Sequence, residues 1–196
     1  MNPPDNSPIL LFQQWFEEEK RGSTAPLPGA CCLSTIGTDG FPNARFVALK
    51  DVTDNGFVIT GPISSRKGIE ITGQDKVALT FWWPATEKQV RIQGIATAID
   101  TRLADKYFSE RSRDSQLVSV ISKQGEILEN VEALHEQYRI LESNTAGKDI
   151  PRPANWGGYT IRPVRIEFMT FQSSRFHERV LFELADGAWT TMQLQP

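Results

Sequence analysis

Apolar and polar positions alternate along much of this chain, and the places where the period changes divide it into elements. In "SPILLFQQWFEEEKRG" the apolar residues Ile9, Phe12 and Phe16 fall on one helical stripe. Ser7 suits the cap of that helix, Pro8 its first turn and Gly22 its end. "ACCLSTIGTDGFPNARFVALKDV" then reads as two strands joined at Asp39-Gly40, and Asn55-Gly56 turns the chain into a third. "SSRKGIEI" reads as a short helix capped by Ser64 or Ser65, and "KVALTFWW" and "KQVRIQGIATAI" as strands. Three helical stretches follow: "TRLADKYFSE" with Thr101 as cap, "DSQLVSVIS" with Asp114 or Ser115, and "EILENVEALHEQYRILES". The last carries Leu128, Val131, Leu134, Tyr138 and Leu141 at helical spacing.

After the Pro/Gly-rich "TAGKDIPRPANWGG", three more strands are expected: "YTIRPVRIEFMTF", "RFHERVLFEL" and "AWTTMQLQP", the last two joined at Asp186-Gly187. Many hairpin strands with a few inserted helices predict a mainly β fold with flanking helices, an antiparallel barrel. No linker, repeat or low-complexity tract divides the chain, so residues 1–196 are expected to form one domain, with the helix in 1–22 packing on it.

Composition narrows the function. Across 196 residues the formal net charge is −3, which excludes general attraction to nucleic acid or to an anionic membrane. Cys31 and Cys32 are neighbours that point to opposite faces of a strand, so no disulfide framework and no metal site is expected. The opening "MNPPDNSP" has neither the basic nor the apolar part of a secretory signal, and no apolar run could span a bilayer. A cytoplasmic protein is expected.

Any anion site must then be a local cluster of cations. "SSRKG" sets Arg66 and Lys67 in the first turn of a helix behind two serines, where free N–H groups and the helix dipole favour a phosphate. Taken alone, the same triplet is common on solvated surfaces. In "YFSERSRDSQ", Tyr107 and Arg111 lie one helical turn apart and Ser115 opens the next helix, a second candidate phosphate grip or an ordinary capped junction. Arg45 and Lys50, five apart on one strand, face opposite ways. On "RFHER", read as a strand, Arg175, His177 and Arg179 share a face, as a planar anionic ligand would need. Trp82 and Trp83 read as packing residues, His135 as a solvated helix residue and Trp156 as structural.

Together "ARFVALK", "SSRKGIEI", "FWWPATEKQVRIQG", "KYFSERSRDSQLVSVISKQ", "WGGYTIRPVRIEF" and "RFHERVLF" stand in the order and near the spacing of a known family. From "LLFQQW" to its end the chain resembles the pyridoxamine 5′-phosphate oxidases, flavin enzymes that make pyridoxal 5′-phosphate. The resemblance implies a split β-barrel homodimer with FMN at the subunit interface. It implies flavin contacts for Arg45, Thr60, Arg66, Lys67, Gln89, Gln124 and Arg179. Lys50, Tyr107, Arg111 and Ser115 would grip the substrate phosphate, and Arg175 and His177 would lie against the pyridine ring as the catalytic pair. The implied reaction oxidises pyridoxamine or pyridoxine 5′-phosphate with O2 and releases H2O2. The chain departs from the family pattern at Thr60-Gly61, Gly125, Met169, Gln193 and Leu27, and lacks a basic Tyr-containing arm before "LLFQQW". Two other readings stand beside this one: a same-fold oxidase of a phenazine precursor, and a non-catalytic binder of FMN or pyridoxal phosphate.

Overall fold

A computed structural model describes residues 7–196; the opening segment, read above for a signal, lies mostly outside them. The first helix, α1 (Pro8–Gly22), leads into three antiparallel strands, β1 (Ala30–Ile36), β2 (Pro42–Thr53) and β3 (Gly56–Pro62). After α2 (Arg66–Gly73) come β4 (Lys76–Trp83) and β5 (Lys88–Ala98), then the helices α3 (Thr101–Ser109), α4 (Arg113–Ile121) and α5 (Val131–Asn144). The chain ends in β6 (Trp156–Thr170), β7 (Glu178–Ala185) and β8 (Ala188–Leu194). Among the described residues no helix is long and apolar enough to cross a membrane.

The strands form one sheet in the order β3-β2-β1-β4-β5-β6-β7-β8, and a further β3–β6 pairing closes its first six into a barrel. The long β6 makes this possible by dividing one edge: Trp156–Ile161 pair with β3, and Arg165–Thr170 pair with β7. The barrel is therefore closed at one end of β6 and splayed at the other. Its interior is filled by the inward positions of every strand, among them Leu33, Ile59, Leu79, Ile92, Ile166 and Phe182. α1 plugs this core with Phe12, fully buried and edge-on to Phe57 at 4.7 Å and Phe81 at 5.0 Å. Phe12→Ala is expected to lower stability by about 3–5 kcal/mol, read as a fall of about 10 °C in Tm by thermal denaturation.

One irregularity matters for the site. The β2–β3 register shifts between Leu49 and Asp51, so Lys50 is an extra residue, a β-bulge. Val47, Leu49 and Val52 all pack on the core, while the adjacent Lys50 and Asp51 both turn to α3, to Glu110 just past its end and to Tyr107.

Four expectations are corrected. "RFHER" is not a strand: β7 begins at Glu178, and residues 171–177 form a turn in which Arg175 takes a left-handed φ of 68°. The turn is closed by Arg175 N–H donating to Gln172 O and by Gln172 N–H donating to His177 Nδ1, so Arg175, His177 and Arg179 do not share a strand face. Tyr107 and Arg111 are not on one helix, since α3 stops at Ser109. The caps of α3 and α4 are Asp100 and Ser112, whose side chains accept from Leu103 N–H and Ser115 N–H, rather than Thr101 and Asp114 or Ser115. α5 starts only after Asn130, leaving Leu128 outside it. The expected opposite faces of Cys31 and Cys32 are found, with Cys31 buried and Cys32 half-buried. Burial, then the neighbouring Cys32, pushes the Cys31 thiol up to about 12, which leaves it inert.

Candidate active site

A cleft of about 400 Å³ opens where the end of β3, the start of α2 and the 122–125 segment meet the outer side of β2. Arg45, Thr60, Arg66, Lys67, Gln124 and Arg111 all line it, so the structure gathers most of the expected flavin residues and one expected substrate residue in one place. Gly68 lets α2 sit this close, because a Cβ there would lie 2.0 Å from Ile63 O. Lys67 Nζ donates to Ser65 Oγ at 2.9 Å and to Gln124 Oε1 at 2.6 Å. Burial, then the charge of Arg45, draws its ammonium down to about 8. Gly61 and Gly125, two of the departures noted in the sequence, line the same cleft.

The cations are held by a carboxylate that sequence reasoning missed. Glu70, on the buried side of α2, accepts from Thr35 Oγ1 at 2.5 Å, Asn43 Nδ2 at 2.7 Å, Arg45 Nη2 at 2.7 Å and Arg66 Nε at 2.8 Å. Burial alone would push its carboxyl up; the bonds from Thr35, Arg66 and Arg45 and the charge of Arg45 hold it below the usual carboxylate value. The i, i+4 spacing of Arg66 and Glu70 is the one sequence signal for it.

Among the cations that line the cleft, Arg111 is the least satisfied. Its Nε is buried with no hydrogen-bond partner among the described residues. Its Nη2 makes only long contacts, 3.4 Å to Ser115 O and 3.5 Å to Ser119 Oγ. The guanidinium lies 5.2 Å from the Trp156 ring centre, so Trp156 also lines the cleft and is more than a structural marker. Burial draws the Arg111 guanidinium below its ordinary value. An orphaned N–H on a cation at a cleft wall is suited to a phosphate or carboxylate oxygen.

Lys50 and Tyr107 stand apart from this wall, each engaged by an acid. Lys50 Nζ pairs with Glu110 at 2.6 Å, and the Tyr107 hydroxyl donates to Asp51 Oδ2 at 2.9 Å. Burial, then the bond to Asp51 and the charges of Asp51 and Glu110, push Tyr107 up to about 12, so it remains a neutral donor. Ser115 lies in α4, bonded to Ser112. A third group sits elsewhere: Gln89, Met169 and Arg179 form one row across β5, β6 and β7, and Arg179 is forked onto the buried Glu167 at 2.6 and 2.9 Å. Arg175 and His177 occupy the turn before it. Within one chain, then, the expected site residues fall into three separate groups.

The family profile described as pyridoxamine 5′-phosphate oxidase matches residues 19–142, and that described as the pyridoxine 5′-phosphate oxidase C-terminal dimerisation region matches residues 156–196. A pyridoxine/pyridoxamine 5′-phosphate oxidase of Leptospira biflexa is 40% identical over 189 residues, covering 96% of this chain and 89% of the relative. One from Rubrobacter xylanophilus is also 40% identical, over 98% of this chain and 88% of its own. Among solved structures, PhzG of Burkholderia lata in complex with tetrahydrophenazine-1-carboxylic acid superposes with a TM-score of 0.93 at 31% identity, covering 100% of this chain and 95% of that one. An FMN-binding protein of Nostoc punctiforme shares the fold, with a TM-score of 0.79 at 15% identity over 97% of this chain and 98% of that one.

Proposed function

This chain belongs to the pyridoxamine 5′-phosphate oxidase family and is an FMN-dependent oxidase, and on that premise we propose that its substrate is pyridoxamine or pyridoxine 5′-phosphate. The alcohol would be converted with O2 to the aldehyde and H2O2; the amine, with O2 and water, to the aldehyde, ammonia and H2O2. The observation that carries the substrate reading is the orphaned Arg111 Nε in the cleft wall, a cation in want of an anionic oxygen.

When bound, FMN supplies the two-electron acceptor that O2 can reoxidise. The chain's own residues bind and orient. Arg45, Arg66 and Lys67 would hold the flavin phosphate, with Thr60 and Gln124 beside them, and Arg111 the substrate phosphate, joined by Ser115 from the first turn of α4. Gln89, Arg179, Arg175 and His177 would form the opposing wall. They lie on β5, β7 and the 171–177 turn, and Arg175, His177 and Arg179 fall in the part of the chain that matches a dimerisation region. That match supports a homodimer, and a second chain would bring this wall to the cleft, placing FMN at the interface. Two large exposed apolar residues favour such a cover: Phe46, 78% exposed at the cleft edge, and Trp82, 51% exposed next to Gln89. In this reading residues 1–196 act as one FMN-binding split-barrel domain with α1 packed on it, in the cytoplasm.

His177 Nδ1 accepts the Gln172 N–H, which leaves Nε2 to carry the proton and donate to substrate. Lys50 would join the phosphate grip by exchanging Glu110 for substrate. Glu110→Gln is therefore expected to lower KM for pyridoxamine 5′-phosphate two- to five-fold, about the strength of a half-exposed ion pair. Steady-state kinetics would read this, and a raised KM would mean instead that Glu110 positions Lys50.

A second reading, a phenazine-type substrate, draws on the superposition with PhzG. One experiment separates the two. Anaerobic addition of pyridoxamine 5′-phosphate to FMN-loaded protein should bleach the flavin absorbance, and air should restore it with peroxide. A flavin that stays oxidised would reject this substrate and favour a reduced phenazine precursor.

A further inference from the structure

Glu70 lies outside every set of residues assigned above to cofactor or substrate, yet it is the most heavily bonded carboxylate near the cleft. It is 2% exposed and accepts four hydrogen bonds, from β1, from two residues of β2 and from its own helix. Two oxygens have about four acceptor sites, so this carboxylate is saturated. It engages Arg45 through Nη2, while Arg45 Nη1 donates to Thr35 Oγ1, and it engages Arg66 only through Nε. The outer nitrogens of Arg66 are left toward the cleft edge, with Asp39 at 3.7 Å from Nη2.

We propose that Glu70 is a positioning residue for the cofactor's phosphate, holding Arg45 and Arg66 in the geometry that receives it. The proposal rests on the reading that the FMN phosphate sits on Arg45, Arg66 and Lys67. Arginine has many rotamers, and fixing two guanidinium groups before the ligand arrives removes an ordering cost from binding. A second effect opposes this one: the carboxylate is a negative charge near a negative ligand, so deleting it would raise the local positive potential. Positioning is the larger effect here. Arg45 is partly buried, and without its acceptor it would be left an unpaired cation beside Thr35, free to leave the site.

Glu70→Gln tests this directly: Arg45 and Arg66 donate to different oxygens of the carboxylate, and the amide keeps the shape but puts a donor NH2 in place of one of them. Binding of FMN and of riboflavin, which lacks the phosphate, would be measured by flavin fluorescence on flavin-free protein. FMN affinity is expected to fall on the order of 10- to 100-fold, as when an outer-shell partner of a ligand-holding residue is removed. Riboflavin affinity should stay within about two-fold, and Glu70→Asp should recover part of the FMN loss. FMN binding that is unchanged or tighter in Glu70→Gln would overturn the proposal and make Glu70 a mere counter-charge. An equal loss of both flavins would also overturn it, because a general structural defect does not discriminate a phosphate. If Glu70→Gln does not fold, Glu70→Asp gives the same FMN-to-riboflavin comparison. A parent protein that binds FMN no tighter than riboflavin would overturn the phosphate placement itself, a result distinct from failure of Glu70 alone.

Discussion

Replacing Arg111 with alanine is expected to raise KM for pyridoxamine 5′-phosphate by on the order of 100-fold, with kcat and bound FMN close to the parent values. The size follows from what the guanidinium lacks. Its Nε is buried without a partner, and its two Nη2 contacts, at 3.4 and 3.5 Å, are at the edge of hydrogen bonding. A phosphate oxygen there would gain one or two charge-assisted bonds worth about 1.5–3 kcal/mol each, and every 1.4 kcal/mol is tenfold. Arg111→Lys should recover only part, because a point charge does not reproduce the planar fork that lies over Trp156. A KM within about three-fold of the parent would remove Arg111 from the substrate site.

The second large effect is on pH. Lys67 is drawn down to about 8 by burial and by Arg45, so in the flavin-free protein half of it is neutral at that pH. A bound phosphate stabilises the ammonium and raises its pKa, so FMN binding above pH 8 must take up a proton. Affinity is expected to be flat from about pH 6, where a phosphate monoester becomes a dianion, to about pH 8. Above that it should fall towards tenfold per pH unit. Fluorescence titrations from pH 7 to 9.5 would show this, and Lys67→Met should bind weakly with no such slope. The stability of the flavin-free protein should move the opposite way. Between about pH 8 and 10.5 the unfolded chain holds the Lys67 proton that the folded chain has lost, so stability rises with pH in that window. A flat FMN affinity to pH 9.5 would mean that Lys67 does not meet the phosphate.

The hairpins were legible because Asp39-Gly40, Asn55-Gly56 and Asp186-Gly187 announce their turns chemically, and Gly40, Gly56 and Gly187 do adopt positive φ. The turn at 171–177 was not, because its composition is that of a strand. What closes it is a side chain, His177 Nδ1 accepting from Gln172 N–H, and hydrophobic period carries no trace of such a bond. The α3 cap was displaced by one residue for a related reason: Asp100 and Thr101 are both competent, and local sequence cannot say which hydroxyl or carboxylate turns inward. At the site, the cations were readable as clusters and by resemblance. The acids that hold them were not. Glu70 meets Arg45 from 25 residues away, and Glu110 meets Lys50 only because the barrel brings α3 against β2. That Gln89 and Arg179 lie apart from the cleft was equally hidden, since alignment in a motif says nothing about which wall a residue occupies.

The extra residue in β2 has a consequence for how this segment can vary. Up to Leu49 the core takes the odd-numbered positions, and at Val52 it takes an even one. The two halves of the strand are therefore read in different frames, joined at Lys50. Removing or adding one residue between 45 and 52 would slip one frame against the other. Val47 and Leu49 would trade core for solvent, and Arg45 would swing off Glu70 to the far side of the sheet. Substitution at an outward position away from the cleft, such as Ala44, should be tolerated where a change of length by one is not. For this stretch the count of residues is itself inherited information, as binding as the identity of any one of them.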